Sequence, residues 1–196
     1  MKNILAFLLF VALVAFKPAA TTYQASLAGS RLTWTGHAEA GTWAPTGTLQ
    51  LRRGTFDYDG RTLRNGRFEF DMSTIKHEDA KLTEHLRGTD FFDAEKYPTA
   101  VFVLREVGAG TVVGQLTLKG ITKPVQFPVV VEQLPDGQLR VKGTASLDRT
   151  QFGVNYNSSS FFQNLGSYAI RNDFQLTFDL VASPAKQGAL SAGNKR

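Results

Sequence analysis

The residues of this chain that could do chemistry are few, and their spacing suits none of the common sites. The three histidines are His37, His77 and His85. His77-Glu78 is followed by Asp79-Ala80-Lys81, so the helical zinc-hydrolase pattern H-E-x-x-H is missing. His77 and His85 have Glu78, Asp79 and Glu84 between them, which admits a metal cluster, but a solvated helix face accounts for the same residues. There is no cysteine, hence no thiol nucleophile, no disulfide framework and no acylation site for a lipoprotein anchor. Ser158-Ser159-Ser160 has no spaced His and Asp partners, and no G-x-S-x-G elbow or glycine-rich phosphate loop occurs. Asp57 and Asp59 flank a turn, where carboxylates commonly cap backbone amides. These residues support no catalytic residue, no metal site and no cofactor.

The elements that would have to position a site are strands. From about residue 30 to residue 182 the dominant period is two: Phe68, Phe70 and Met72 alternate with Arg67, Glu69 and Asp71, and Val125, Phe127, Val129 and Val131 with Gln126, Pro128, Val130 and Glu132. The last run places Tyr168, Ile170, Asn172, Phe174, Leu176, Phe178 and Leu180 on one face. Such alternation gives each strand one buried and one wet face. Arg53-Gly54, Asp59-Gly60, Asn65-Gly66, Gly108-Ala109-Gly110 and Asp136-Gly137 read as hairpin turns, because Gly and Asn accept positive φ. About eight short strands joined this way form an antiparallel meander, and closing it into a barrel removes the exposed edges. Asp79 to Leu86, with Leu82 and Leu86 four apart, predicts a short helix near residues 78–92 that crosses outside the barrel or caps it.

Both ends of the chain stand apart from this pattern. Residues 1–20, with Lys2, an unbroken apolar run from Ile4 to Phe16 and then Ala19-Ala20, read as a cleaved signal peptide; an uncleaved anchor is the alternative. The domain then covers 21–182, and residues 183–196, rich in Ala, Gly, Ser and Lys, read as a disordered tail. The formal charge of +5 includes Lys2 and Lys17 of the leader and Lys186, Lys195 and Arg196 of the tail, so the body is close to neutral. No basic stripe interleaved with aromatics is present, so a nucleic-acid partner is not expected.

At this point three motifs and one strand start become recognisable. Glu84-His85-Leu86-Arg87-Gly88-Thr89-Asp90-Phe91-Phe92-Asp93, followed by Tyr97-Pro98-Thr99-Ala100-Val101-Phe102, resembles the "HL…DFFD…yP…F" signature of YceI-like proteins. Gly114 to Val125 is similar to that family's "G.LTl.G.Tkpv" hairpin, and Leu147 to Val154 to its "idR..fG" strand. The strand start Ile170-Arg171-Asn172-Asp173 resembles the closing "I.d" element. The likeness runs from about Leu32 to Ala182. One departure is Trp43-Ala44-Pro45-Thr46-Gly47, where many relatives carry a His before the Gly; any contact made by that His would be lost here. The resemblance implies an all-β, extended antiparallel lipocalin-like barrel, a periplasmic or secreted location, and a lumen holding a polyisoprenoid, an isoprenoid quinone or a fatty-acyl-type lipid. It implies no catalytic residues and leaves a homodimer open.

Fifteen Phe in a chain of this size indicate either a thick aromatic core or an apolar cavity. Phe56, Phe68, Phe70, Phe102, Phe127, Phe174 and Phe178 lie on the apolar phase of their strands, as does Trp34, while Phe91, Phe92, Phe161 and Phe162 lie in connections. A filled core would account for the strand residues. A single closed sheet has no second layer, however, so its inner face is either plugged or holds ligand, and with the family likeness the lumen reading is preferred. The expected lumen set is these twelve residues with Phe152 and Tyr156. The headgroup candidates are Asn155, Asn164 and Arg171, with the Tyr156 hydroxyl beside them, because they flank the longest irregular stretch and offer amides and a planar guanidinium. Loop backbone satisfaction explains the asparagines nearly as well. Asp148-Arg149 invites a similar headgroup story, against a structural ion pair or an exposed strand end. The expected function is non-enzymatic binding, transport or storage of a long-chain lipid. The alternatives are an enzyme acting on a lipid and a transmembrane β-barrel, whose apolar phase would have to face outward.

Overall fold

The alternating runs do pair into strands, and the strands close on themselves. The computed structural model describes residues 20–186, Ala109 excepted, so the leader reading and most of the tail lie outside the described residues. In chain order the elements are β1 (Thr21–Ala25), β2 (Arg31–Thr35), β3 (Thr46–Tyr58), β4 (Leu63–Lys76), α1 (Ala80–Arg87), β5 (Thr99–Gly108), β6 (Thr111–Leu118), β7 (Ile121–Gln133), β8 (Leu139–Asp148) and β9 (Asp173–Pro184). All pairings are antiparallel. The sheet runs from β3 through β4, β5, β6, β7 and β8 to β9, and β1 and β2 both pair with β3 on one side and β9 on the other. β1 and β2 thus lie end to end on one stave, Tyr23 opposite Phe56 and Leu32 opposite Leu49. The barrel has eight staves, with the ninth strand arising from that interruption, and no sheet edge is left open.

Two turn assignments fail for one physical reason. Arg53-Gly54 and Asn65-Gly66 lie inside β3 and β4, which makes those strands 13 and 14 residues long. A Cβ on Gly54 would come within 2.9 Å of the Phe68 ring, and one on Gly66 within 2.8 Å of Leu104 Cβ. Both glycines admit a neighbouring side chain where a strand would otherwise be crowded, and Asn65 takes the positive φ of an irregularity within the strand. Asp59-Gly60, Gly108 to Gly110 and Asp136-Gly137 do link consecutive strands.

Inward residues are apolar and outward ones mostly polar, with Val103, Val113 and Val130 among the exceptions. Arg140 donates to Asp179 at 2.7 Å across β8 and β9, and Lys142 lies 3.2 Å from Glu132 across β8 and β7, both on the outer face. The last strand departs from its expected bounds at both ends. It begins at Asp173, because Gly166–Tyr168 is a single tight helical turn that leaves Tyr168 exposed. It extends to Pro184, with Ser183 opposite Gln24 and the Ala185 N–H donating to the Thr22 carbonyl, so Ser183 and Pro184 belong to the barrel and not to a tail.

Candidate functional site

The barrel is hollow. At the end reached by the long connections 36–45, 77–98 and 149–172 lies an upper chamber of about 110 Å³, and toward the short-turn end a lower chamber of about 80 Å³. Phe70, Leu116, Leu147 and Leu176, from four staves, wall both chambers, so the two lie in line along the barrel. Each is far larger than the void that admits one water, and the lining is almost wholly apolar, which water does not wet.

The lower chamber is walled by an aromatic belt. Phe56, Phe68, Phe102, Phe127 and Phe178 contact one another in that order with ring centroids 5.5–6.3 Å apart. These five come from β3, β4, β5, β7 and β9, one inward position each. Tyr23 continues the belt by stacking on Phe56 at 5.6 Å.

The upper chamber is walled by the sheet's inner face and, toward the end of the barrel, by elements that leave the sheet. Asp79 caps α1 by accepting from the Lys81 N–H at 2.8 Å, and the Gly88 N–H closes its other end on the Glu84 and His85 carbonyls. Arg87 Nε ties the helix to the Ile75 carbonyl at 3.1 Å. Leu82 and Leu86 thereby face the chamber together with Phe91 and Phe92, so α1 caps the barrel. Phe91 and Phe92, though adjacent, are both buried and both line the chamber, because they lie on a turn where successive side chains need not oppose. Trp34, Trp43, Phe70 and Phe174 add further aromatic rings to this wall.

The other expected lumen residues are elsewhere. Phe152 is fully buried in the tight turn Arg149–Phe152, away from either chamber wall. Tyr156 is half-buried and meets the His85 ring edge-on at 4.5 Å and Phe91 at 5.2 Å. Phe161 and Phe162 are exposed and line neither chamber, which corrects the lumen reading for both. Their backbone amides donate to the Ser158 carbonyl, a local turn that directs the rings away from the sheet.

Of the headgroup candidates, Arg171 reaches the upper chamber, but its fork is engaged by Asp173 through two bonds of 2.9 Å. Asn164 is exposed with a positive φ and lines neither chamber. Asn155 keeps a buried Oδ1 without a partner, although it does not line a chamber. The polar residue that sequence reasoning undervalued is Arg149. It is neither paired to Asp148 nor exposed: at 4% exposure it lines the upper chamber and donates to the Arg171, Val154 and Ile170 carbonyls at 3.0, 2.8 and 2.9 Å. Burial pushes its guanidinium below the ordinary value, while the Asp148 carboxylate acts the other way. Asp148 instead accepts from the Thr150 N–H and hydroxyl. No sequence signal marks a cation whose partners are backbone carbonyls.

The histidines are dispersed. His37 lines the chamber rim, His77 Nδ1 accepts from the Asp79 N–H, and His85 Nε2 is 3.4 Å from Asp90 Oδ2. Among the described residues no three His, Cys, Asp or Glu side chains gather where they could hold a metal.

A family model described as the YceI-like domain matches residues 23–182. A UPF0312 protein of Staphylococcus aureus is 32% identical over 93 residues, 44% of this chain and 54% of that protein. A UPF0312 protein of Pseudomonas putida is 32% identical over 120 residues, 55% of this chain and 62% of its own length. The chain thus spans little more than half the length of these relatives. Among solved structures, BcnA of Burkholderia cenocepacia aligns with TM-score 0.65 at 23% identity, covering 81% of this chain and 99% of that one. A polyisoprenoid binding domain from Saccharophagus degradans aligns with TM-score 0.64 at 11% identity, covering 84% and 99%. At these identities the likeness is one of fold.

Proposed function

The chain belongs to the YceI-like family, and on that premise we propose that it holds a long-chain isoprenoid lipid in its lumen and carries out no chemistry on it. The observation that carries this reading is the pair of apolar chambers in line along the barrel axis. An empty apolar space of this size forfeits the dispersion contacts of its whole lining, and a slender hydrocarbon restores them. The fold shared with a structure described as a polyisoprenoid binding domain favours an isoprenoid, with quinone and fatty-acyl lipids as competing cargo. At about 0.8 kcal/mol per buried methylene, a chain of roughly twenty carbons supplies about 16 kcal/mol before the cost of ordering it, ample for tight retention. The polar outer face, with its cross-strand ion pairs, argues against a barrel that spans a membrane, since those charges would face hydrocarbon. The apolar leader adds the reading that the protein is exported to act as a periplasmic or secreted carrier or store, as a monomer or a homodimer. Native mass spectrometry of protein purified from its own host is the test. A co-purifying species with the mass ladder of a prenyl lipid is expected, and protein that is uniformly ligand-free and refuses prenyl lipids offered in vitro would sink the reading.

A further inference from the structure

Four aromatic side chains among the described residues are exposed: Trp43 (55%), Phe161 (55%), Phe162 (50%) and Tyr168 (77%). All four lie at the same end of the barrel, around the upper chamber. Trp43 is on the connection from β2 to β3, and the other three are on the connection from β8 to β9. The two connections are stitched together. Ala38 pairs with Ile170, the Glu39 N–H donates to the Ala169 carbonyl, the Arg171 N–H donates to the His37 carbonyl, and Ser159 Oγ donates to Glu39 at 2.9 Å. The aromatics are held outward by a built turn. Ser158, fully buried, donates to Asn172 at 2.6 Å, and its carbonyl accepts from both Phe161 and Phe162 N–H groups. Trp43 is at once exposed and part of the chamber wall, so one of the four exposed aromatics reaches the upper chamber itself.

Its electrostatics are equally distinctive. From Asn155 to Ile170 no Asp, Glu, Lys or Arg occurs, in a chain that is 20% charged. The connection 36–45 adds one carboxylate, Glu39, which is occupied by Ser159. Exposed Trp, Tyr and Phe on a platform whose single carboxylate is Glu39 match the headgroup zone of a bilayer, where amphipathic rings are favoured and little charge must be dehydrated. A second copy seated on this patch would close the opening through which a water-insoluble cargo has to pass.

We propose that this aromatic rim docks on the interfacial zone of a phospholipid bilayer and presents the upper chamber to it, so that cargo moves between membrane and barrel without crossing water. The proposal rests on the lipid-holding reading but is tested apart from it. The full exported chain is floated with phosphatidylcholine–phosphatidylethanolamine vesicles while tryptophan emission is followed. The expected result is co-flotation that survives about 0.5 M salt, because no charge pairing is involved. Emission should shift to the blue and be quenched by lipids brominated near the headgroup, and Trp43→Phe should abolish that quenching, since Trp34 is buried inside the barrel. The double variant Phe161→Ser, Phe162→Ser should lose flotation about tenfold and slow lipid transfer to acceptor vesicles, with its melting curve and equilibrium lipid retention unchanged. Parent protein that stays with the pellet fraction, or a double variant that floats as well, overturns the proposal. So does a double variant that loses self-association in sedimentation instead, which makes the rim a contact between copies. Flotation without lipid retention would leave the docking intact and defeat the cargo reading, and retention without flotation the reverse.

Discussion

The two ends of the lumen are built by different means. The lower chamber is made by the sheet alone: five inward Phe from five staves form a belt, and every residue of its wall lies on a strand. The upper chamber adds to the sheet's inner face what leaves the sheet, namely the 36–45 connection, α1, the Phe91-Phe92 turn and the 149–172 connection, the last gathered by one buried cation. Alternation with a period of two suffices to specify a belt. A cap that must open toward a ligand needs long connections, and those need an internal fastener, since their carbonyls are taken out of water without a strand to pair with.

The sharpest way to break that contrast is to remove the fastener. Arg149→Met leaves three carbonyls without their charged donor, each such bond being worth about 1.5–3 kcal/mol. After partial rehydration of the freed groups, a loss of about 4 kcal/mol is expected, read as a fall in Tm of about 10 °C. Arg149→Lys should fall nearly as far, because an ammonium cannot fork to three separated acceptors. A variant that melts like the parent would show that the 149–172 connection holds itself and that Arg149 faces the chamber for another purpose.

Next in size is a paired test of belt against cap. Phe68→Ala deletes a ring stacked between Phe56 and Phe102 and should cost about 3 kcal/mol, the low end for such truncations because the site already adjoins a cavity. Phe92→Ala, which removes a ring held between Phe91 and Phe174, should cost about half as much yet release bound lipid faster, since it loosens the cap and not the staves. Equal stability losses with equal release rates would erase the distinction between the two ends. The belt was legible in the sequence because Phe56, Phe68, Phe102, Phe127 and Phe178 fall on the apolar phase of runs long enough to fix it. The cap was legible as a short helix and a recognisable motif, with the choice between crossing outside the barrel and capping it left open. Gly54 and Gly66 were misread because glycine signals a turn and a crowded strand in the same letter, and only the position of Phe68 and Leu104 separates the two. Phe161 and Phe162 were misread because apolar type says nothing of direction once the period is lost.

A smaller effect is expected at the rim. Arg171→Leu removes a side chain that is half exposed and already bound to Asp173, so stability should change little. A lipid with an anionic head should lose at most about 1 kcal/mol of affinity, because the fork would have to give up Asp173 to meet it, and a neutral lipid should lose nothing. Competitive displacement of prenyl phosphate against prenyl alcohol measures the difference. A tenfold or greater selective loss for the phosphate would mean that Arg171 abandons Asp173 for the cargo and that the headgroup lies at this rim.

The least effect should come from the outer face of the belt, where charge pairs decorate a sheet that does not need them. Asp179 accepts from Arg140, and that bond holds its carboxyl below the ordinary value of 3.8, against a smaller opposing push from burial. Asp59 is likewise held low, chiefly by the Thr62 and Arg61 N–H groups. Both carboxyls are therefore more acidic in the folded than in the unfolded chain. Their contribution is fully present above the unfolded value and is lost as pH falls through the lower folded values, so the protein should hold its Tm from neutrality down to about pH 5 and weaken below about pH 4. Asp179→Asn removes one of the two groups and should flatten that acid limb slightly while barely moving the melt at pH 7, since exposed pairs contribute little. A large loss at pH 7 would mean that the Arg140–Asp179 pair pins β8 to β9, and the belt would then depend on its exterior as the cap depends on Arg149.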